Sequence, residues 1–282
     1  MSKTSFIDLQ STHNPHRWYL NVEPSICVGP PGNKFLFGGV GLASAITALE
    51  QTTGRPCIWA TAQYLSFANP PDIVDLDVRA PIVGKNITQA RVLAHVKDRE
   101  IFTVNAAVGE RDSDQSHQWL TMPDVPPADD CPPMPRFDET TEDLHSRLDM
   151  RVAQGRYSAR RDVQGGRSED GRVVLWGRAK NGAPVDSALL AIINDFVPSG
   201  TSHALGLPAG ANSLDNTLRI RRIVETEWVC CDIQIEGVHN GFVHGRIAMF
   251  ADDGTLMATG SQSGIIRIFD PEAFRQRFKK DA

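Results

Sequence analysis

The short segment Ala188-Leu189-Leu190-Ala191-Ile192-Ile193 constrains the fold more than any other part of the chain. A helix that is apolar on every side must be buried on every side. Pro184 or Asp186 is typical of its beginning, and Pro198 and Gly200 are typical of its end. The runs that follow have the pattern of strands, and a strongly curved antiparallel sheet can enclose such a helix. The sequence therefore predicts an α+β fold with a buried central helix.

The same order of elements occurs twice along the chain. In the first half, Gly38-Gly39 begins an apolar helical run that ends at Gly54 and Pro56, and several strand-like runs follow it. A displacement of 155 residues overlays the strand regions of the two halves without a gap. The shared order and lengths indicate a duplicated unit. We therefore expect two antiparallel sheets, each wrapped around a buried helix and joined side by side.

A proline-rich segment separates the two units. Residues 122–135 contain six prolines, which disfavour both a helix and a central strand. The composition predicts an extended linker. The expected boundaries are 1–121 for the first unit, 122–138 for the linker and 139–282 for the second unit.

Charge and composition exclude several function classes. The net charge is −5 and the pI is about 5.9, which disfavours nucleic acid as a partner. No apolar run is long enough to cross a bilayer, and the polar N-terminus has no signal-peptide core, so we expect a cytoplasmic protein. The five cysteines are odd in number and form no C-x-x-C pair, which favours small buried side chains over a disulfide framework or a metal site.

Two polar residues of the second half are the first candidates for a functional site. Asp215 opens one strand-like run and Gln262 lies within another, whereas Ala60 and Ala107 stand at the displaced positions of the first half. A carboxylate and an amide present in one copy only suggest a single working site, in which both hold a hydrolytic water. The alternative interpretations are that Asp215 caps a turn and that Gln262 makes a structural hydrogen bond.

Short motifs in a fixed order then suggest a family. They are Phe37-Gly38-Gly39, Tyr64-Leu65, Asn69-Pro70-Pro71-Asp72, Asn194-Asp195-Phe196, Leu214-Asp215-Asn216, Gly241-Phe242-Val243-His244-Gly245-Arg246 and Ser261-Gln262-Ser263-Gly264. Over nearly its whole length, the chain resembles acyl-CoA thioesterase II and its bacterial relatives, which are double-hotdog enzymes.

The resemblance implies hydrolysis of acyl-CoA thioesters in fatty acid metabolism. It implies no cofactor, since coenzyme A is part of the substrate, and it implies a homodimer or a higher homo-oligomer. The family uses an Asp, a Thr or Ser, and a Gln around a water. Asp215 and Gln262 are assigned the first and last roles, the position of the Thr falls near Glu236, and Asn216 replaces the usual His. Glu236 could instead be a solvated acid.

The start of the first helix is the predicted site for the thioester carbonyl. Free N–H groups and a partial positive charge occur at a helix start, so Gly39 and Val40 are expected to polarise the carbonyl oxygen. Gly38 would let the substrate approach the backbone. Asn216 and Arg91 are weaker candidates for substrate binding, and Arg91 could equally lie on a solvated strand face.

Two other functions stay open at this point. The altered Thr and His positions are compatible with a double hotdog that binds acyl-CoA without cleaving it. A hotdog hydratase is the second alternative, because Asn69-Pro70 is present, although no Asp or His stands at a fitting position nearby.

Overall fold

The computed structural model describes residues 5–30, 32–136, 141–156 and 166–270. Its α-helices are α1 (Gly38–Thr53), α2 (Leu144–Arg147), α3 (Ser187–Asn194) and α4 (Gly200–Leu205). Its strands are β1 (Leu9–Ser11), β2 (Arg17–Asn21), β3 (Cys27–Val28), β4 (Phe35–Leu36), β5 (Cys57–Tyr64), β6 (Ile73–Val83), β7 (Ile87–Val96), β8 (Arg99–Gly109), β9 (Leu148–Gln154), β10 (Arg172–Ala179), β11 (Ala209–Ser213), β12 (Asp215–Ile220), β13 (Val229–His239), β14 (Phe242–Ala251) and β15 (Leu256–Ile268).

The strands form one continuous antiparallel sheet where two separate sheets were expected. Among the described residues this sheet has 13 strands, in the order β1-β2-β6-β7-β8-β5-β12-β15-β14-β13-β10-β9, and β11 also pairs with β15. The junction is the antiparallel pair β5–β12, one strand from each half. Pairing there removes two exposed sheet edges, each of which would present unpaired backbone N–H and C=O groups.

The two long helices lie against each other inside this sheet. All residues of α3 are buried, as its apolar sequence predicts, and α1 packs on α3 as well as on β5 and β8. Asp186 caps the start of α3 by accepting the Leu189 N–H at 2.8 Å. Gly54, with a φ of 66°, ends α1 in the left-handed conformation. No helix in the described part of the chain is long and apolar enough to span a membrane.

The halves correspond with a displacement one residue larger than the sequence overlay suggested. Thr61 and Thr217 are the middle pair of the β5–β12 ladder, and their hydroxyl oxygens are 2.6 Å apart. They therefore occupy equivalent positions about the junction, at a separation of 156 residues. Gln262 then matches Ala106 rather than Ala107.

This correction changes which residue faces the helices. Asp215 corresponds to Trp59 and not to Ala60, whereas Asn216 is the residue that matches Ala60. Both Asn216 and Ala60 are fully buried, and Asn216 contacts α3. Since successive strand residues point to opposite faces, a shift of one residue moves a side chain from one face of the sheet to the other.

The proline-rich linker covers part of the outer face of the second half. The Trp176 indole N–H donates to the Pro126 carbonyl at 2.9 Å, and Ala128 and Cys131 join a buried cluster with Trp228. Part of the outer face of the sheet is therefore covered by the linker and shielded from water. The end of the predicted linker and the start of the second unit, residues 137–140, lie outside the described residues.

All five cysteines are buried with free thiols. Burial raises the pKa of Cys27 and Cys57 to about 12, so these thiols stay protonated at neutral pH. The prediction of small buried side chains without disulfides is confirmed.

Candidate active site

A buried carboxylate at the end of α3 collects polar groups from both halves of the chain. Asp195 directly follows α3 and is 5% exposed. Its Oδ2 accepts the backbone N–H of Gly39 at 2.6 Å, and its Oδ1 accepts the hydroxyl of Ser213 at 3.2 Å and an N–H of the Gln262 amide. The start of one helix, the end of the other and two strands therefore meet at one carboxylate.

Adjacent strands fix the positions of Ser213 and Gln262. Ser213 is the last residue of β11, which pairs with β15, and Gln262 lies on β15. The Gln262 Nε2 also donates to the Ser213 Oγ at 3.0 Å. The Gln262 Oε1 is buried and has no hydrogen-bond partner among the described residues. The amide is therefore held by its nitrogen, and its oxygen remains available as an acceptor.

Burial raises the pKa of Asp195 to about 6, because a carboxylate removed from water is disfavoured. Hydrogen bonds from Gln262, Gly39 and Ser213 act in the opposite direction and favour the ionised form. The balance leaves a carboxylate that is ionised at neutral pH and is more basic than an exposed aspartate. This is the property required of a general base at neutral pH.

The glycine pair at the start of α1 allows the two helices to meet. A Cβ on Gly39 would lie 2.8 Å from the Ile192 carbonyl oxygen and 2.9 Å from the Asp195 Cβ. A Cβ on Gly38 would lie 2.8 Å from the Asp195 Oδ2. Only residues without a side chain fit this contact, so the sequence signal Gly38-Gly39 marks close packing at the site.

The two backbone donors predicted to polarise a substrate carbonyl have acceptors within the protein. The Gly39 N–H donates to Asp195, and the Val40 N–H donates to the Phe37 carbonyl at 3.0 Å. Their predicted role would require these hydrogen bonds to be exchanged for one to the substrate. Their role at the substrate carbonyl stays a prediction.

Asn216 lies in the same buried cluster, where it is fully buried. Its side-chain oxygen accepts an N–H from Asn194, which also donates to the Thr217 carbonyl at 3.0 Å. Its own amide nitrogen lies beside Asp195 and lowers the pKa of that carboxylate. Asn216 is therefore a neighbour of Asp195, and its predicted role in substrate binding stays a prediction.

Asp215 and Gln262 do not share a hydrogen-bonded position in the described structure. The Asp215 Oδ1 accepts the backbone N–H of Ser263 at 2.8 Å, and Asp215 pairs with the exposed residue Gln63 across β5–β12. Because Leu214 separates β11 from β12 and donates to the Ser263 carbonyl, the Asp215 carboxylate satisfies a backbone N–H at this break in the ladder. This contact fits the alternative interpretation of Asp215 as a turn-capping residue.

Glu236 and Arg91 lie outside the cluster. Glu236 is exposed on β13, and its carboxylate forms an ion pair of 3.0 Å with Arg246, whose side chain is 65% exposed. Arg91 is exposed on β7, opposite Asn105 of β8. Both positions agree with the alternative interpretations, in which Glu236 is a solvated acid and Arg91 lies on a solvated strand face.

The sequence contained a signal for the two residues that the prediction missed. Asp195 is the acid at the end of the most apolar helix, and a charged residue there needs a buried partner or a function. Ser213 stands two residues before Asp215, on the other side of Leu214. The break between β11 and β12 hid the fact that Ser213 faces the helices.

A groove of about 900 Å³ lies away from this cluster, at the start of α3. It is lined in part by Lys180, Val185 and Ile223. Its Arg178 already pairs with Asp149 at 3.2 Å and with Glu227. We place the chemistry at Asp195 because the groove has no comparable convergence of buried polar groups in the part of the chain that the structure describes. The described residues also contain no group of three or more His, Cys, Asp or Glu placed to hold a metal ion.

Comparisons with known proteins show a similarity to thioesterases and to proteins with a hotdog fold. A family model, the acyl-CoA thioesterase C-terminal domain, matches residues 128–266. A solved structure of a candidate thioesterase from Novosphingobium aromaticivorans DSM 12444 is 34% identical, with a TM-score of 0.82 over 93% of this chain and 99% of that one. A hotdog-fold protein from Alicyclobacillus acidocaldarius is 19% identical, with a TM-score of 0.78 over 94% and 96% of the two chains. Acyl-CoA thioesterase II of Mycobacterium marinum is also 19% identical, with a TM-score of 0.71 over 93% and 97%. No curated protein matches the sequence.

Proposed function

This chain belongs to the acyl-CoA thioesterase II-like family and is a thioester hydrolase with a hotdog fold, and we propose that it cleaves acyl-CoA with a water molecule activated by Asp195. The observation that supports this proposal is the buried carboxylate of Asp195, which accepts hydrogen bonds from Ser213, from Gln262 and from the Gly39 N–H at the start of α1. The family pattern of an acid, a hydroxyl residue and a glutamine is matched by these three residues. They replace the earlier assignment to Asp215, Glu236 and Gln262.

Hydrolysis proceeds through attack of water on the thioester carbon. As the new C–O bond forms, one proton of the water passes to Asp195 and the carbonyl oxygen becomes negative. When the carbonyl re-forms and the C–S bond breaks, coenzyme A leaves as a thiolate. The thiolate takes up the proton that Asp195 received and becomes the free thiol, which restores the Asp195 carboxylate, and the acyl group leaves as a carboxylic acid. A positioned base contributes about two to four orders of magnitude to such a step.

Ser213 and Gln262 orient the attacking water. The Ser213 hydroxyl already donates to Asp195 and accepts from Gln262, which leaves one lone pair for the water. The Gln262 amide offers an acceptor oxygen that has no partner among the described residues. Both groups already lie within hydrogen-bond distance of Asp195 and of each other. A water bound by these groups would point a lone pair away from the base, toward the carbonyl carbon.

The substrate class follows from the family, whereas acyl chain length does not. The expected homo-oligomer and the expected cytoplasmic location stay predictions. So does the expectation that no cofactor takes part.

A thiol-release assay over a panel of acyl-CoA esters tests the proposal, with Asp195→Asn compared to Asp215→Asn. We expect the parent to release thiol and Asp195→Asn to lower kcat by about two to four orders of magnitude. The kcat of Asp215→Asn should stay within about tenfold of that of the parent, because the Asp215 carboxylate accepts a backbone N–H. If Asp215→Asn removed activity and Asp195→Asn did not, the original assignment would be restored. Tight binding of acyl-CoA by an inactive parent would favour the non-catalytic alternative.

A further inference from the structure

Tyr64, the last residue of β5, carries a buried hydroxyl that the proposed mechanism does not use. The hydroxyl oxygen has no hydrogen-bond partner among the described residues. A buried polar group without a partner costs about 1–3 kcal/mol, so native proteins retain few of them without a function. The ring itself is well packed, with its centroid 6.4 Å from that of Phe102 in an edge-on contact.

The hydroxyl and the carboxylate of the proposed base both lie against Gly38. An ideal Cβ on Gly38 would lie 2.8 Å from the Asp195 Oδ2 and 3.0 Å from the Tyr64 hydroxyl oxygen. The two oxygens therefore flank one point at the start of α1. Gly38 itself is partly exposed, so this part of the site lies close to the protein surface.

The side chain of Asn216 limits the hydrogen-bond roles that are open to the Tyr64 hydroxyl. Asn216 lies beside this hydroxyl and lowers the pKa of Tyr64. The side-chain oxygen of Asn216 already accepts an N–H from Asn194. The group that Asn216 can offer to Tyr64 is therefore its NH₂, a donor. This NH₂ has no hydrogen-bond partner among the described residues. A bond from it to the Tyr64 oxygen would leave the tyrosine hydrogen for another acceptor.

We propose that the Tyr64 hydroxyl donates a hydrogen bond to the thioester carbonyl oxygen, beside Gly38. This inference rests on the proposed hydrolysis and names the group that stabilises its negative oxygen. Tyr64 would take the role first expected of Gly39 and Val40, whose N–H groups have acceptors in the protein. The tyrosine keeps its proton throughout, so the proton balance of the reaction is unchanged.

The electrostatics of the site support a permanent donor. Burial raises the pKa of Tyr64 well above its ordinary value, and the charges of Asp195 and Asp215 raise it further. The hydroxyl is therefore protonated at neutral pH, where Asp195 is ionised. A donor that is fixed in place before the reaction stabilises a developing oxyanion without reorganisation.

Tyr64→Phe removes the hydrogen bond and keeps the ring. We expect kcat to fall about 10²- to 10³-fold, as when other oxyanion donors are removed, with KM changed by less than about threefold. The melting temperature should stay the same or rise, since the lost hydroxyl has no protein partner. Tyr19→Phe is the matched control, because Tyr19 lies on β2, which is separated from β5 by three strands. It should leave kcat unchanged.

A spectroscopic measurement separates carbonyl polarisation from a structural role. An acyl-CoA analogue with CH₂ in place of the thioester sulfur keeps the carbonyl but cannot be hydrolysed. With a ¹³C label, its infrared C=O band should move to lower wavenumber on binding to the parent, and most of that shift should be absent in Tyr64→Phe.

The outcomes are distinguishable. An active parent whose kcat and carbonyl band are insensitive to Tyr64→Phe overturns this inference and leaves the proposed function standing. A fall in kcat together with a lower melting temperature and an unchanged carbonyl band assigns Tyr64 a structural role and also overturns it. A parent that hydrolyses no acyl-CoA overturns the proposed function and this inference with it.

Discussion

Burial and hydrogen bonding shift the pKa of the Asp195 carboxylate in opposite directions. Burial alone would favour the protonated acid, which cannot accept a proton from water. The donors Gly39, Ser213 and Gln262 hold the ionised form within reach of neutral pH. The same three contacts fix the orientation of the carboxylate, so basicity and geometry depend on one set of neighbours.

The pKa of Asp195 predicts the pH dependence of the reaction. With a pKa of about 6, the group is the free base above that pH and is lost as a base when the pH falls through it. We expect kcat/KM to fall about tenfold per pH unit below pH 6. The raised pKa also means that protonation of Asp195 favours the native state, so this group does not unfold the protein in acid.

Steady-state rates from pH 4.5 to 9, with circular dichroism at each pH, check this prediction. Asp215→Asn serves as the control and should show the same profile. A rate that stays constant down to pH 4.5 in a folded protein would remove Asp195 from the role of base.

At the residue scale, the structure and the sequence point to different residues as the acid, and the reason is physical. Gln262 and Asn216 were identified from the sequence, and both lie in the cluster. Asp215 was assigned from the motif Leu214-Asp215-Asn216 and from an overlay of the halves displaced by one residue, and strand alternation converts such a displacement into the opposite face of the sheet. The break at Leu214, which brings Ser213 to the helix side, follows from pairing with β15 and has no local sequence signature.

At the scale of elements, the two long helices are tied together at both ends by carboxylates. Asp195, after α3, accepts from Gly39 in α1, whereas Glu50, near the end of α1, accepts the hydroxyl of Ser187 in α3 at 2.8 Å. Burial raises the pKa of Glu50 too. Glu50 also accepts the Cys57 N–H at 2.8 Å, so its second oxygen is occupied by the backbone. Only the end with Asp195 also has Ser213 and Gln262.

The contact between the helices predicts the effect of Gly39→Ala. In an ordinary helix this change would stabilise by up to about 1 kcal/mol. Here the new Cβ would lie 2.8 Å from the Ile192 carbonyl oxygen, which is backbone and cannot turn aside. We therefore expect the opposite sign, a loss of about 1–3 kcal/mol in unfolding free energy. Activity should fall as well, because the shift separates Gly39 from Asp195.

Urea denaturation and the thiol-release assay measure both effects. Gly237→Ala is the matched control, since a Cβ there meets nothing within 4 Å. If Gly39→Ala were as stable and as active as the parent, the close approach of α1 to α3 would not be needed for the site.

At the scale of the whole molecule, the sequence indicated the class of fold and the duplication but not how the copies join. Apolar helices, strand runs and the turn residues between them are local patterns, so they can be read from the sequence. The β5–β12 junction is a contact between distant segments, and no periodicity specifies it. The linker likewise packs on Trp176 and Trp228 through tertiary contacts. A proline-rich composition predicts an extended chain but not the surface on which that chain packs.

The continuous sheet predicts that neither half can work by itself. The site takes Gly38, Gly39 and Tyr64 from the first half and Asp195, Ser213 and Gln262 from the second, and separation would expose β5 and β12 as unpaired edges. We expect residues 1–121 and 122–282, expressed separately, to aggregate and to release no thiol.

A protease site inserted between Gln115 and Ser116, which are both exposed, gives the matched control. After cleavage the two pieces should stay together on size-exclusion chromatography and keep the parental kcat, because the helix contact and the β5–β12 ladder hold them without the covalent link. Hydrolysis by residues 122–282 alone would show that the start of α1 is dispensable, and would move the carbonyl-binding donor out of the first half.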